Sequence, residues 1–247
     1  MRVRLNIALQ RGLRRVGLEL HPYHPGPTVH EEDLRRAKLL RAEGIDLVLD
    51  VGANAGQYVQ RIRRAGYARR VVSFEPLSDA FGKLDQAAAT DPLWDARRLA
   101  LGDEDGSAEI HVSANSWSSS LLEMGERHLS SAPESTYVRT ETVPVARLDS
   151  IWDGVVRDGE RVFLKLDVQG FEMHVLRGAA GHLDRVAGVQ AELALTSLYE
   201  GDSPWREIVD HLEGQGYELA GLEPGFEDPG TGRMLQADAI LLRPGRT

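Results

Sequence analysis

The chain has 247 residues, of which 42% are hydrophobic and 27% are charged, as expected of a globular protein with one α/β domain. Its formal net charge of -9 argues against a nucleic-acid partner, because phosphate binding requires a basic surface. The absence of cysteine excludes disulfides, thiolate metal sites and a cysteine nucleophile. No apolar run reaches the length of a transmembrane segment and no signal peptide is recognised, so a cytoplasmic location is expected.

Residues 1–44 are expected to form an N-terminal helical arm and a linker. Apolar residues recur there at the spacing of one face of an amphipathic helix, at Leu5, Leu9, Leu13, Val16 and Leu20. The proline-rich segment 21–27 then breaks the helix. Two interpretations stay open for the arm. It packs on the domain or on the second subunit of a homodimer, or its basic face meets a membrane surface or closes over an acceptor.

Residues 48–56 are the most informative segment. An apolar run ends there at Asp50, a turn with two glycines follows, and 57–65 has helical period, which together predict a strand, a tight turn and a helix. Gly52 and Gly56 are expected to bring backbone N–H groups close to a ligand. Asn54 stands where a dinucleotide-binding fingerprint has its third-position glycine. The pattern Asp-x-Gly-x-Asn-x-Gly instead resembles the turn of S-adenosylmethionine-dependent methyltransferases.

The next elements support a nucleotide-containing ligand. Residues 70–74 predict a second strand that ends at Glu75, followed by Pro76. An acidic residue about 20 positions beyond the glycine turn is placed to accept hydrogen bonds from ribose hydroxyls. Ser78 is predicted to cap the following helix, and 96–101 is predicted to be the third strand.

The alternation of strands and helices is then interrupted by an insertion at about 106–148. It contains two predicted extra strands, 108–112 and 142–148, separated by a long polar stretch. Parallel order resumes with strands at 161–167 and 186–193, each followed by a helix. The last two strands, 217–222 and 235–242, are expected to close the sheet as a hairpin.

Two acidic residues are the candidates for catalysis. Asp167 and Glu192 end adjacent parallel strands, so their side chains should converge at the ligand-binding edge of the sheet. There they could orient the acceptor as a carboxylate pair, or hold Mg²⁺ through oxygen ligands. A helix cap is the structural alternative for Asp167. His174 and His111 are rival bases, and Tyr199 could border the acceptor.

Several blocks, in the same order along 45–242, resemble the FkbM family of methyltransferases. They are 48–58, 74–76, 100–102, 118–121, 143–149, 163–172 and 175–179. The resemblance implies a class I methyltransferase, an α/β Rossmann-like fold over 45–247, with strand order 3-2-1-4-5-7-6, strand 7 antiparallel and an inserted β-hairpin segment. It also implies O-methylation, often of sugars or other hydroxyls in natural products and glycolipids.

The resemblance also implies a pocket for S-adenosylmethionine. Glu75 would contact the ribose diol, and Ala100 and Leu101 would lie by the adenine, while 118–120 would reach the cofactor or the acceptor. The expected cofactor-binding residues are Asp50, Gly52, Asn54, Gly56, Tyr58, Glu75, Pro76, Ala100, Leu101 and Ser119.

The sequence thus predicts an S-adenosylmethionine-dependent O-methyltransferase that acts on a sugar hydroxyl of a small-molecule or glycoconjugate acceptor. Three alternatives stay open. They are N-methylation of a small amine, a non-catalytic protein that keeps only the cofactor pocket, and a nicotinamide-dependent oxidoreductase, against which Asn54 argues. No pattern in the sequence identifies the acceptor or the oligomeric state.

Overall fold

A computed structural model describes residues 29–114, 118–125, 131–132 and 135–244. The chain divides into two compact units, Met1–His30 and Glu31–Thr247. The apolar stripe from Leu5 to Leu20, on which the prediction of an arm depends, lies outside the described residues. The unit that contains the sheet begins at Glu31, earlier than the boundary at residue 45 expected from the sequence.

The described part of this unit contains ten strands, six α-helices and short 3-10 turns. In chain order they are α1 (Glu31–Ala42), β1 (Leu47–Val51), α2 (Gln57–Arg64), β2 (Arg70–Phe74), α3 (Ser78–Ala88), β3 (Trp94–Arg97), β4 (Ala100–Leu101), β5 (Gly106–Ser113), β6 (Tyr137–Ala146), α4 (Leu148–Ile151), β7 (Val162–Leu166), α5 (Glu172–Gly178), β8 (Val186–Ala194), α6 (Trp205–Gly214), β9 (Glu218–Pro224) and β10 (Gln236–Leu242).

Seven strands form the central sheet, in the order β3-β2-β1-β7-β8-β10-β9. Strands β1, β2, β3, β7 and β8 pair in parallel, and β10 is antiparallel to both of its neighbours. Without the strands of the insertion, this is the order 3-2-1-4-5-7-6 with strand 7 antiparallel. The predicted α/β fold and sheet order are therefore confirmed.

The central strands are covered on both faces. Every residue of β1 and of β7 is buried, which is typical of parallel strands with helices on either side. One apolar cluster joins these strands to residues of α5 and α6 and to the fully buried Trp152. This packing fixes the carboxyl ends of the parallel strands, where ligands bind in open α/β sheets.

The insertion forms a second sheet, in the order β4-β6-β5, with β5 and β6 antiparallel. The prediction of one third strand over 96–101 is wrong. Trp94–Arg97 pairs with β2 in the central sheet, whereas Ala100–Leu101 pairs with β6 in the second sheet. The apolar pattern could not reveal this division, because residues of both segments are buried and only their pairing partners differ.

The predicted cap at Ser78 is also wrong. Leu77 is the N-cap of α3, with no side-chain capping bond. The Ser78 hydroxyl instead donates to Glu141 of β6, at 3.1 Å, while the Ser78 N–H donates to the same carboxylate. The serine thus ties α3 to the insertion.

Helix α1 is attached to the sheet through buried charges. Arg36 donates to Glu223 of β9, and Arg35 donates to the other oxygen of the same carboxylate at 2.6 Å. Asp33, also buried, accepts from Arg61 of α2 at 2.8 Å. These pairs make α1 a wall of the domain. No described helix combines the length and apolar character that crossing a bilayer requires.

Candidate active site

A cavity of about 460 Å³ lies at the carboxyl edge of the parallel strands. This volume is within the range of about 300–1,000 Å³ typical of small-molecule sites. One end, here called the cofactor end, is formed by Gly52–Asn54, Phe74–Leu77 and Ala100–Leu101. The other, called the acceptor end, is lined by Arg36, Asp167, Gln169, Gln190, Glu192, Gln236 and Asp238.

The glycine turn after β1 borders the cofactor end, but Gly52 is needed for another reason as well. Its φ is 75°, and a Cβ at this position would lie only 1.8 Å from the backbone oxygen of Asp167. Asn54 also has a positive φ, 47°, a conformation that asparagine adopts more readily than most residues. This explains why asparagine stands where the dinucleotide fingerprint has a glycine.

Gly56 does not line the cavity in the described structure. It is the N-cap of α2 with a φ of 83°, and a Cβ there would lie 2.6 Å from the ring of Trp94. The glycine therefore makes room for a packed side chain, and its position does not support the prediction that its backbone approaches a ligand.

Asp50 is likewise placed beneath the turn and not on the cavity surface. It is completely buried, accepts from Ser73 at 2.9 Å, and lies 3.1 Å from the Lys165 ammonium group. Burial alone would lower the pKa of Lys165, but Asp50 and Asp167 raise it above its usual value. Lys165 also donates to the Gly52 carbonyl at 3.2 Å, so the buried pair supports the turn from below.

Glu75 lies at the end of β2 and lines the cofactor end together with Pro76. Its carboxylate accepts the N–H groups of Asn54 at 2.8 Å and Leu77 at 2.9 Å, which fixes both oxygens at the cavity wall. Burial raises the pKa of Glu75 to about 7, although the two N–H groups lower it. Each oxygen retains a second lone pair that a ribose hydroxyl could use.

Part of the apolar wall of the cofactor end comes from the second sheet. Ala100 and Leu101 line the cavity as predicted, but from the second sheet and not from the end of the third strand. Ser119 also lines it, with its hydroxyl oxygen accepting the Ser113 N–H at 3.0 Å. Tyr58 borders the cavity nearer the acceptor end, where its hydroxyl donates to Gln190 at 3.3 Å.

The two predicted catalytic carboxylates do converge at the acceptor end. They are bridged by the side-chain amide of Gln169, which lies 3.0 Å from Asp167 Oδ1 and 2.7 Å from Glu192 Oε2. Gln236 of β10 donates to the same Glu192 oxygen at 2.7 Å. Because both amides bond to Oε2, Oε1 is the Glu192 atom left for a ligand.

Glu192 has an unusual electrostatic environment. Burial raises its pKa well above the ordinary value, and the neighbouring Asp167, Glu172 and Asp238 raise it further, while Lys165 lowers it. Asp238 stands directly opposite Glu192 in the β8–β10 register, so the two side chains share one face of the sheet. A carboxylate with a raised pKa is a stronger base near neutral pH than an ordinary one.

The rival candidates lie away from the cavity. His174 pairs with Asp103 at 2.8 Å and stacks on Phe171, and His111 stacks on Tyr137. Neither histidine lines the cavity. Tyr199 is 1% exposed and stands behind Gln169, to whose amide oxygen its hydroxyl donates at 2.6 Å.

The donor set at Asp167 and Glu192 does not fit Mg²⁺. The side-chain N–H₂ of Gln169 lies between the two carboxylates and donates to both, so a hydrogen-bond donor stands where a shared cation would have to bind. Among the described residues, no group of three or more histidine and acidic side chains is arranged to hold a metal ion.

Several residues that line the cavity were not identified from the sequence. They are Arg36, Lys165, Gln169, Gln190, Gln236 and Asp238. A signal existed for Lys165, because it is the one charged residue in the buried strand β7. Arg36 is on a helix with many charges, and no local pattern distinguishes it.

Comparison with known proteins identifies relatives of the sequence. The sequence pattern of the methyltransferase FkbM domain matches residues 50–219. The 2-O-methyltransferase NoeI of Sinorhizobium fredii (strain NBRC 101917 / NGR234) is 28% identical over 220 residues, which are 84% of this chain and 86% of that protein.

Solved structures are more distant. A putative O-methyltransferase from Klebsiella pneumoniae superposes with a TM-score of 0.49 and 12% identity, over 98% of this chain and 92% of that chain. An rRNA methylase from Streptococcus thermophilus gives 0.47 and 13%, over 90% and 99%. The fold assignment rests on the sheet order described above, and these similarities carry no conclusion about the substrate.

Proposed function

The chain belongs to the FkbM family of methyltransferases, and from this premise we propose that it methylates a sugar hydroxyl of a small-molecule or glycoconjugate acceptor. A methyltransferase of this fold uses S-adenosylmethionine, which fits the donor set at the cofactor end. The observation that carries the proposal is the Glu192 carboxylate, which lines the same cavity as Glu75 and accepts two amide N–H groups at one of its two oxygens.

The cofactor end has the groups that such a ligand needs. Glu75 would accept hydrogen bonds from the ribose hydroxyls, and Ala100 and Leu101 would contact the adenine. Gly52 and Asn54 would lie along the methionine part. A volume of about 460 Å³ leaves room for an acceptor group beside the cofactor.

When bound, S-adenosylmethionine supplies an activated methyl group, so the residues of the acceptor end have two tasks. They must hold the acceptor oxygen in line with the methyl carbon, and they must remove the hydroxyl proton. Glu192, whose Oε1 accepts neither of the two amide N–H groups, would take that proton when the acceptor is methylated. Asp167 orients the acceptor beside it.

The name of the relative NoeI, a 2-O-methyltransferase, supports transfer to oxygen over transfer to nitrogen. The acceptor end also favours a hydroxyl-rich ligand, since carboxylates and amides at Asp238, Gln190 and Gln236 offer both acceptors and donors to such groups. A homodimer, and a membrane contact through the N-terminal arm, stay predictions.

Calorimetric titration with S-adenosylmethionine and S-adenosylhomocysteine tests whether the protein binds this cofactor. We expect micromolar binding that weakens about 10- to 100-fold in Glu75→Ala, because a hydrogen-bonded charged partner is lost. Glu109→Gln, an exposed glutamate on β5, is the matched control. Transfer of a labelled methyl group to a panel of sugars and amines tests whether the acceptor is a sugar hydroxyl. Absence of cofactor binding to folded protein would overturn the assignment, and exclusive labelling of amines would overturn O-methylation.

A further inference from the structure

Gln169 has a geometry that a simple loop residue does not need. It lies in the loop between β7 and α5 with a φ of 54°, a left-handed conformation that is rare for residues other than glycine. From there its amide nitrogen reaches both Asp167 and Glu192, at 3.0 and 2.7 Å. An amide nitrogen has two hydrogens, so one group can donate to both carboxylates at once.

Tyr199 determines which way this amide points. Its hydroxyl donates to Gln169 Oε1 at 2.6 Å, and burial raises the pKa of Tyr199, so the proton stays available for donation. A reversed amide would turn its oxygen toward two carboxylates and its N–H₂ toward the tyrosine hydroxyl. The hydroxyl and the carboxylates therefore specify one orientation together.

The same two residues are held by the described part of the insertion, 118–125. Ser120 donates from its hydroxyl to the Gln169 carbonyl at 2.7 Å. Met124 forms an isolated β-bridge with Tyr199. This segment, which contributes Ser118–Leu121 to the lining of the cavity, is thus joined to both members of the pair.

We propose that Gln169 and Tyr199 are a positioning pair that holds the Asp167 and Glu192 carboxylates in the arrangement that orients the acceptor. The inference rests on the proposed function for its catalytic meaning, but its geometry can be tested without any acceptor. Neither residue takes a proton from the substrate; each acts through the carboxylates. Gln236 contributes a second donor to Glu192 only, so it cannot replace the bridge.

Carbon-detected NMR of ¹³C-labelled glutamate measures the effect directly, with the Glu192→Gln spectrum to assign the signal. In Tyr199→Phe and Gln169→Ala the Glu192 carboxylate loses a charge-stabilising donor or its fixed orientation. Its pKa should rise by about one unit. Besides Tyr199, the titratable and charged groups that face Glu192 are Asp167, Glu172, Asp238 and Lys165, and these four stay unchanged in both variants.

Gln60→Ala is the matched control, because Gln60 is exposed on α2 and does not line the cavity. Its Glu192 titration should coincide with that of the unchanged protein. Tyr199→Phe removes a single oxygen atom and serves as the conservative variant if Gln169→Ala fails to fold. An unchanged Glu192 pKa in folded Tyr199→Phe would overturn the proposal.

Kinetics on an acceptor found by the panel give the second readout. We expect kcat to fall about tenfold in both variants, with KM for S-adenosylmethionine unchanged and the acidic limb of the kcat profile moved to higher pH. A shifted Glu192 titration without methyl transfer to any acceptor would count against the proposed function and not against the bridge. An unshifted titration in a protein that does transfer methyl groups would count against the bridge alone.

Discussion

The two ends of the cavity are built in different ways. The cofactor end comes from short contiguous segments, in which backbone N–H groups of Asn54 and Leu77 fix the Glu75 carboxylate. The acceptor end comes from side chains of distant elements, with Gln169 and Gln236 meeting at Glu192. The comparison teaches that binding of the shared cofactor depends on local backbone geometry, whereas acceptor chemistry depends on pairings between elements.

Substitutions at the two ends should also have different effects on turnover and on cofactor affinity. If the division is real, a change at the acceptor end affects turnover and leaves cofactor affinity intact. A change at the cofactor end should do the reverse.

Glu192→Gln should produce the largest effect. The amide cannot take the acceptor proton, so kcat is expected to fall about 100-fold or more while the Kd for S-adenosylmethionine stays the same. Stopped-time assays with labelled cofactor measure the first quantity and calorimetry the second. Glu213→Gln, an exposed glutamate of α6, is the control. Equal kcat values for Glu192→Gln and the unchanged protein would remove Glu192 from the chemistry.

The buried acid Glu172 allows the acceptor end to be tested through the pH dependence of protein stability. It is 3% exposed and accepts the Val168 and Gly170 N–H groups, and burial raises its pKa to about 7 from its ordinary value of 4.5. An acid whose folded pKa is raised loses stability as pH increases from 4.5 to about 7. Glu172→Gln cannot ionise, so relative to the unchanged protein its free energy of unfolding should gain about 2 kcal/mol between pH 5.5 and 8.

Urea denaturation at the two pH values measures this difference. Glu75 has a similarly raised pKa, so the unchanged protein should be less stable at pH 8 than at pH 5.5 for both reasons. Glu213→Gln again provides the reference. A pH dependence that is the same in Glu172→Gln as in the unchanged protein would show that the loop carrying Asp167 and Gln169 does not depend on this buried acid.

The pH dependence of cofactor affinity is the smallest effect and tests the cofactor end. Ionised Glu75 is the better hydrogen-bond acceptor, and its pKa of about 7 makes the ionised fraction increase between pH 6 and 8. Affinity for S-adenosylhomocysteine should therefore rise about tenfold over this interval and stay flat in Glu75→Gln. Calorimetry at constant ionic strength gives both profiles. A tenfold rise that persists in Glu75→Gln would assign the dependence to another group.

Much of the architecture was predictable because it depends on local patterns. Strand β2 was predicted with its observed bounds, since three of its five residues are apolar and an acid and a proline follow it. Ala100 was expected at the cavity and lies there, yet its strand was assigned to the wrong sheet. The hydrophobic pattern of one segment indicates which of its residues are buried, but the strand with which it pairs lies elsewhere in the chain.

The glycine turn likewise shows that one segment of sequence does not reveal which atoms will contact it. Both glycines were expected to approach a ligand. Gly56 makes room for Trp94 and does not line the cavity, whereas Gly52 lines the cavity and also makes room for the carbonyl oxygen of Asp167. The sequence predicted close approach to a ligand and gave no indication of these contacts within the protein. Which atoms occupy the space could only follow from how β3 and β7 pack against the turn.

The sequence by itself determined the strand–turn–helix unit, the acid at the end of β2, the position of Asp167 and Glu192 at one sheet edge and, through the family resemblance, the strand order. Only the tertiary structure showed which side chains bond to one another at the acceptor end. Gln236 and Glu192 are separated by 44 residues, and Arg36 and Glu223 by 187. Hydrophobic periodicity reports which face of an element is buried. Side-chain partners between elements depend on strand register and packing, which no single segment contains.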